Sequence, residues 1–455
     1  MWRIGGNVTQ RAEGVARRSF LQVGSLGVGG ATLADLARLQ AATSGNQTST
    51  TRGKNVILFW LSGGPGHMET YDPKPDAVDQ YRGPFGAINT ALPGVQFGEL
   101  CPQQAKLAQQ LAVLRTVSHG SGDHTKSNHW MLTGFEGPAF NAPDFKLQRR
   151  PSMGSAVARL RGPNRPGMPP YVAVPHLRGG TDNFFHYATY LGPGVNPLSV
   201  ESDPNTPEFK VKDLSLFADL TLERLEDRRL LRTTLGDLGR QVDALGGSVD
   251  PHYQRAFSLL SSREVSTAFD ISAEQPALRD RYGRHTFGQS ALLARRLTEA
   301  GVTFVTVNCV PWDHHGSPGQ YRTEEGAKLL IPPLDQAVAA LVNDLIERGL
   351  YDDTLVVVMG EFGRTPKMNA NAGRDHWGHT FSVVMGCGSL RMGQTIGRSD
   401  DRGEYVSDRL LTPQDVTATI FKHLGIDAPQ VVFRDAQLRP SPLVESGAPI
   451  RELFG

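Results

Sequence analysis

The chain has 455 residues, of which 39% are hydrophobic, 8% aromatic and 20% charged, the proportions of a folded globular protein with a large core and not of a disordered or fibrous one. With 47 basic residues against 46 acidic ones the formal charge is +1, which excludes recognition of nucleic acid or an anionic membrane by an overall field and leaves anion binding to local clusters. Cys101, Cys309 and Cys387 are widely separated and form no CxxC, so neither a disulfide framework nor a zinc ribbon is supported; one disulfide plus one free thiol stays open.

At the N-terminus, Arg17-Arg18-Ser19-Phe20-Leu21 precedes the Gly-rich, weakly apolar run VGSLGVGGATLADL and then ARLQAATSG. This is the pattern of a twin-arginine (Tat) export signal. It predicts a signal segment over 1–42, a Ser/Thr/Gly linker over 43–54 and one domain over 55–455, with the Tat export machinery as partner and a periplasmic or extracellular destination. An uncleaved signal anchor is the alternative, because Asp35 and Arg38 interrupt the apolar stretch; no other segment approaches the apolar length of a membrane span. Tat export carries folded proteins, a route suited to those that take up a metal before crossing.

Next come continuous apolar runs that read as buried parallel strands: VILFWL (56–61), LAVLRTV (111–117), YVAVP (171–175), VTFVTVNCV (302–310), TLVVVMG (354–360) and FSVVMGC (381–387). Between them lie helical patterns. Leu214 to Leu245 is long and charged, Glu324 to Gly349 ends on a C-capping glycine, and TPQD opens VTATIFKHLG with an N-cap and a proline. The region from about 163 to 280, rich in Pro and Gly and then helical, reads as a partly helical insertion. Strands alternating with helices define an α/β layered fold with a mostly parallel sheet, whose ligands bind at the carboxyl ends of the strands.

Eight of the 13 histidines fall in four short windows that follow such strands: His67; His119, His124 and His129; His314 and His315; His376 and His379. Each window holds other polar groups, among them Glu69, Asp72, Thr125, Lys126, Ser127, Asp313 and Glu361. Histidines and carboxylates brought together at strand ends supply the mixed N and O ligands of zinc or another divalent ion. Any single window could instead be a hydrogen-bonded loop, and His176, His186, His252, His285 and His423 are read singly as structural.

The motifs LFWLSGGPGHMETYDPKP, HTKSNHWMLTG, WDHHG, GEFGRTPKMN…GRDHWGH and LTPQDVTATIFKHLGID, in this order, resemble domain-of-unknown-function family 1501, exported bacterial proteins of the alkaline phosphatase and sulfatase superfamily. The resemblance implies an alkaline phosphatase-like three-layer core with a metal site at the carboxyl edge of the sheet. It also implies a hydrolase that polarises a phosphate or sulfate ester with a divalent metal, zinc by preference, and activates a nucleophile.

Carried onto this sequence, the resemblance makes Asp313 and His315 the middle acid and histidine of the superfamily. Glu361 takes the place of a later aspartate, and His376 or His379 that of the final histidine. Two positions depart: Phe362 stands where a partner histidine is expected, and Ser62-Gly63-Gly64 replaces an acid after the first strand. One metal site is therefore expected intact and the second altered. Counting back from Leu132-Thr133-Gly134, the nucleophile position falls on His124, with the hydroxyls of Thr125, Ser127 and Thr70 as alternatives. His67, His124 and His129 would complete the metal set or serve the chemistry. Lys126 and Arg364 would balance a tetrahedral anion, or else are solvated loop charges.

The function expected is an exported metal-dependent hydrolase acting on an anionic ester. The alternative is a non-catalytic descendant that binds a sulfated or phosphorylated glycan or a partner protein.

Overall fold

A computed structural model of the protein describes residues 53–138, 142, 149–175, 185–211 and 262–455. The twin-arginine segment and the helix expected over 214–245 lie outside these residues. Eight strands form one sheet: β1 Asn55–Trp60, β2 Ala112–Val117, β3 Tyr171–Val174, β4 Leu198–Ser199, β5 Phe304–Asn308, β6 Thr354–Met359, β7 Phe381–Gly386 and β8 Gln394–Ile396. Their spatial order is β8-β2-β7-β6-β1-β5-β3-β4. All six strands expected from the apolar runs are present, and two short edge strands, β4 and β8, join them.

β1 lies at the centre between β5 and β6, parallel to both, with Val56 opposite Phe304 on one side and Leu355 on the other. Its side chains alternate between two cores: Ile57 and Phe59 enter one, Val56, Leu58 and Trp60 the other. Burial on both faces is why the strand reads as an unbroken apolar run. Only β7 runs against its neighbours, β2 and β6.

Helices cover both faces and make the fold three-layered. They are α1 His124–Thr133, α2 Met153–Arg161, α3 Arg263–Phe269, α4 Pro276–Tyr282, α5 Thr286–Ala300, α6 Thr323–Glu347 and α7 Pro413–His423. Met131 of α1, Val157 of α2 and Ile420 of α7 pack into one core, and Val265, Leu293 and Leu341 of α3, α5 and α6 into the other. α6 is apolar and long enough to cross a membrane by length and composition, yet 67% of its apolar stretch is buried inside the protein. It is a core helix. A buried arginine, Arg295 of α5, joins these helices through Asp344 of α6, with Nε 2.9 Å from Oδ2, and Tyr282 of α4 donates its hydroxyl to the same carboxylate at 2.8 Å.

The segment 163–280, expected to be an insertion, contributes β3 and β4 to the sheet and α3 and α4 to a core, so its described parts belong to the domain itself. The three cysteines are buried free thiols.

The turn before α7 carries the capping signal expected there. Asp415 N–H donates to Thr412 Oγ1 at 3.2 Å, and Thr412 N–H donates back to Asp415 Oδ2 at 2.9 Å. Thr412→Ala is expected to lower unfolding free energy by about 1 kcal/mol, read as a shift in the urea midpoint at unchanged slope.

Candidate metal centre

Four loops leave the carboxyl edge of the sheet beside one another, after β1, β2, β5 and β6. The second loop ends where the Asp123 carboxylate accepts Lys126 N–H at 2.8 Å, an N-cap that starts α1 and puts His124 in its first turn. The third, after β5, carries Asp313 and His315. The fourth folds back as a small antiparallel ribbon in which His376 lies opposite Arg364. Cross-strand partners share a face, so both side chains reach the same place.

That place is Asp313. His315 Nε2 lies 2.9 Å from Asp313 Oδ1, His376 Nε2 lies 3.1 Å from it, and the two Nε2 atoms are 2.9 Å apart. His124 Nε2 stands 3.6 Å from Asp313 Oδ2. Ligand atoms of His124, Asp313 and His376 all fall within 4.8 Å of one another. Donor atoms around a tetrahedral zinc stand about 3.3 Å apart, given metal–ligand distances near 2 Å, so these separations suit one small cation.

The opposite nitrogen of each ring is held by an acceptor. His124 Nδ1–H donates to Glu361 Oε1 at 2.8 Å, His315 Nδ1–H to Asp375 Oδ1 at 2.9 Å, and His376 Nδ1–H to Gly122 O at 2.8 Å. These acceptors hold Nδ1 of each ring and turn each Nε2 toward the centre. Glu361, fully buried, is fixed in turn by Gly63 N–H, 2.8 Å from Oε1 and 3.1 Å from Oε2.

The electrostatics follow from the partners. Burial disfavours the charge of Asp313, but hydrogen bonds from His124 and His376 and the adjacent Arg364 hold its carboxyl well below the usual carboxylate range. Burial also opposes protonation of His124, yet hydrogen bonds to Asp313 and Glu361 and their charges outweigh it and raise the ring to about 10. Arg364 is buried beneath the centre. Its Nη2 donates to Asp313 Oδ1 at 2.6 Å, to Trp312 O at 3.0 Å and to Gly63 O, its Nε to Gly64 O at 3.0 Å and its Nη1 to Arg374 O at 3.2 Å. A guanidinium so occupied fixes loops and has no fork left for a substrate anion.

Asp313, His315, Glu361, His376, His124 and Arg364 are thus together. The other residues singled out in the sequence lie elsewhere. His129 is buried, with Nδ1–H on Phe135 O at 2.9 Å and Nε2 accepting Arg150 N–H at 2.9 Å, so neither nitrogen is available to a metal. His67 is buried with Nε2 on Gly403 O at 2.9 Å. His379 packs with Trp377 and Tyr405, ring centroids 4.6 and 5.4 Å away. Lys126 pairs with Glu136, Ser127 Oγ donates to Ser121 O at 3.3 Å, Thr70 Oγ1 donates to Gly66 O at 2.8 Å, and Thr125 is buried on α1. Conversely, Asp375, the Gly63 amide and the Gly122 carbonyl serve the cluster without having been singled out. Of these only Asp375 left a trace in the sequence, as an acid beside His376.

Phe362 is buried against the centre, its ring stacked on His376 at 4.4 Å and tilted against His124 at 5.0 Å. It fills with carbon the position where a histidine of a second metal site was expected.

A three-layer α/β core with a His/Asp cluster at the carboxyl edge of a mostly parallel sheet defines the class: an α/β protein with a candidate metal centre. Residues 53–454 match the model of the family described as "Protein of unknown function (DUF1501)", and the chain belongs to that family. No curated protein sequence matches. Similar solved structures include the lipoteichoic acid synthase LtaP from Listeria monocytogenes (12% identity, TM-score 0.40, covering 89% of this chain and 76% of that one). A protein in the alkaline phosphatase superfamily from Vibrio parahaemolyticus (12%, 0.42, 82% and 67%) and the PsFucS1 sulfatase from Pseudoalteromonas sp. (14%, 0.36, 86% and 70%) are others. Likeness of this size does not reach side-chain chemistry, which rests on the distances above.

Burial lowers His129 to about 4, against 6.5 for a free imidazole. The unfolded chain therefore takes up this proton first, and the stability tied to the neutral ring is complete above pH 6.5 and lost as pH falls toward 4, about 3 kcal/mol at the limit. His129→Gln is expected to flatten the acid limb of a stability-against-pH curve measured by urea unfolding between pH 7 and 4. An unchanged slope would show that the ring is not buried neutral.

Proposed function

We propose that this protein is an exported, metal-dependent hydrolase of phosphate or sulfate esters. The observation that supports it most is the convergence of three imidazole Nε2 atoms on the Asp313 carboxylate, each ring fixed by an acceptor on its far side. Structural histidines spend their nitrogens on separate partners, as His129 does; these spend one nitrogen on orientation and point the other at a common spot.

Asp313, His124, His315 and His376 would hold a divalent ion, and their N/O character suits zinc. Bound there, such an ion would act as a Lewis acid on an ester oxygen. The chain's own contribution is orientation. Glu361, Asp375 and the Gly122 carbonyl set the rings, and Arg364 keeps Asp313 ionised while tying the loops of Gly63, Trp312 and Arg374 beneath it. The hydroxyls of Ser127 and Thr70 are committed to carbonyl oxygens, and His124, with Nδ1–H on Glu361 and Nε2 among the metal ligands, would have no lone pair left to act as a nucleophile.

A second reading, a metal-containing binding protein without turnover, is favoured by Phe362, which leaves the cluster room for one ion where two-metal hydrolases clamp both reacting oxygens.

Elemental analysis of purified protein should find about one divalent metal per chain, with hydrolysis of an aryl phosphate or aryl sulfate above background. Asp313→Asn and His376→Ala should lose both the metal and the turnover. Protein free of divalent metal would end the hydrolase reading; metal without turnover would leave the binding reading. For export, replacing Arg17 and Arg18 by lysine should hold the protein in the cytoplasm, followed by fractionation and immunoblot, whereas export of that variant would refute the Tat route.

A further inference from the structure

Arg374 immediately precedes Asp375 and His376, and it is 1% exposed. All three of its guanidinium nitrogens have partners. Nε donates to Glu69 Oε1 at 2.8 Å, Nη2 donates to Tyr81 O at 3.0 Å and lies 2.8 Å from the same Glu69 oxygen, and Nη1 donates to Thr365 O at 3.0 Å and to Pro366 O. Its backbone joins the same junction. Arg374 N–H donates to His314 O at 3.0 Å, and its carbonyl accepts Arg364 Nη1 at 3.2 Å.

Glu69 is 3% exposed and comes from the loop after β1, the one window whose histidine stays outside the cluster. The backbone closes over the pair at Gly83, where φ is 79° and a Cβ would stand 2.6 Å from Arg374 Nη2 and 3.0 Å from Glu69 Oε1. A charged pair with so little water around it is costly to bury and contributes little net stability as such. What it does supply is geometry: a rigid fork that fixes Tyr81, Thr365, Pro366 and Glu69 relative to one another.

We propose that the buried Glu69–Arg374 pair is the positioning device of the metal centre, setting its affinity and coordination geometry through Asp375 and His376. This rests on the metal reading of the cluster given above. Asp375 orients His315, His376 supplies its own Nε2, and both follow a residue whose side chain cannot move without breaking contacts to three segments. Metal sites tolerate little displacement of ligands or of the groups that orient them.

The test is cobalt(II) titration of the metal-free full chain, read by d–d absorption and by calorimetry, with melting temperature recorded in parallel. Glu69→Gln and Arg374→Lys are expected to weaken cobalt binding about 10-fold or more and to alter the absorption envelope. Asp344→Asn, which disrupts the equally buried Arg295 pair between α5 and α6, should lower the melting temperature and bind cobalt as the wild type does. If Arg374→Lys does not fold, the isosteric Glu69→Gln carries the test. Wild-type affinity and spectrum in the folded Glu69 variant would overturn the assignment, as would equal loss of affinity in Asp344→Asn, which would trace the effect to stability alone. A wild-type chain that takes up no cobalt would remove the metal reading and this inference together, whereas uptake with unaffected variants would remove this inference only.

Discussion

Burying Arg364 under the carboxyl edge of the sheet commits the rest of the site. A guanidinium removed from water costs several kcal/mol unless every donor is met, and here the partners are carbonyls from the loops after β1 and β5, the Arg374 carbonyl and the Asp313 carboxylate. Those loops are therefore not free to drift. They must present their oxygens to one fork, and in doing so they bring Asp313 to a fixed point. The three histidines then have a target.

The same economy explains the glycines after β1. The notch that receives Glu361 is made of backbone, because Gly63 offers only its N–H and has no room for a side chain: a Cβ there would meet the Trp312 and Asp313 backbone at 2.8 Å. An acid at this point would need space that the Trp312 backbone occupies. Phe362 acts in the same direction from the other side.

Much of the fold is legible in the sequence because both-face burial turns a central strand into an uninterrupted apolar run, and every such run forms a strand. The reversed direction of β7 and the short edge strands β4 and β8 are not legible, since pairing direction and two- or three-residue ladders depend on partners distant in the chain. The site divides in a similar way. Clustering of histidines at strand ends picks out the right edge of the sheet, but residue type does not say where a ring points. His129 illustrates this: at about 100° per residue it lies some 140° around α1 from His124, so the two cannot face one centre. That angle was available from spacing once the helix was placed. The Gly122 carbonyl and the Gly63 amide were not, because every residue has them.

The antiparallel course of β7 has a consequence for how the site can vary. Parallel neighbours require a crossover through a packed layer, but residues 360–380 leave β6 and re-enter β7 on one edge, so Glu361, Arg364 and His376 ride on a loop anchored at both ends by adjacent strands. Lengthening such a loop is thermodynamically cheap, each doubling costing roughly 0.6 kcal/mol, provided the insertion falls at its tip. The exposed part of that tip, residues 370–372, lies between Asn369, whose Oδ1 accepts the Asn371 and Gly373 N–H groups, and the buried Gly373. The ribbon of Arg364 and His376 below can therefore stay in register when residues 370–372 of this chain are lengthened.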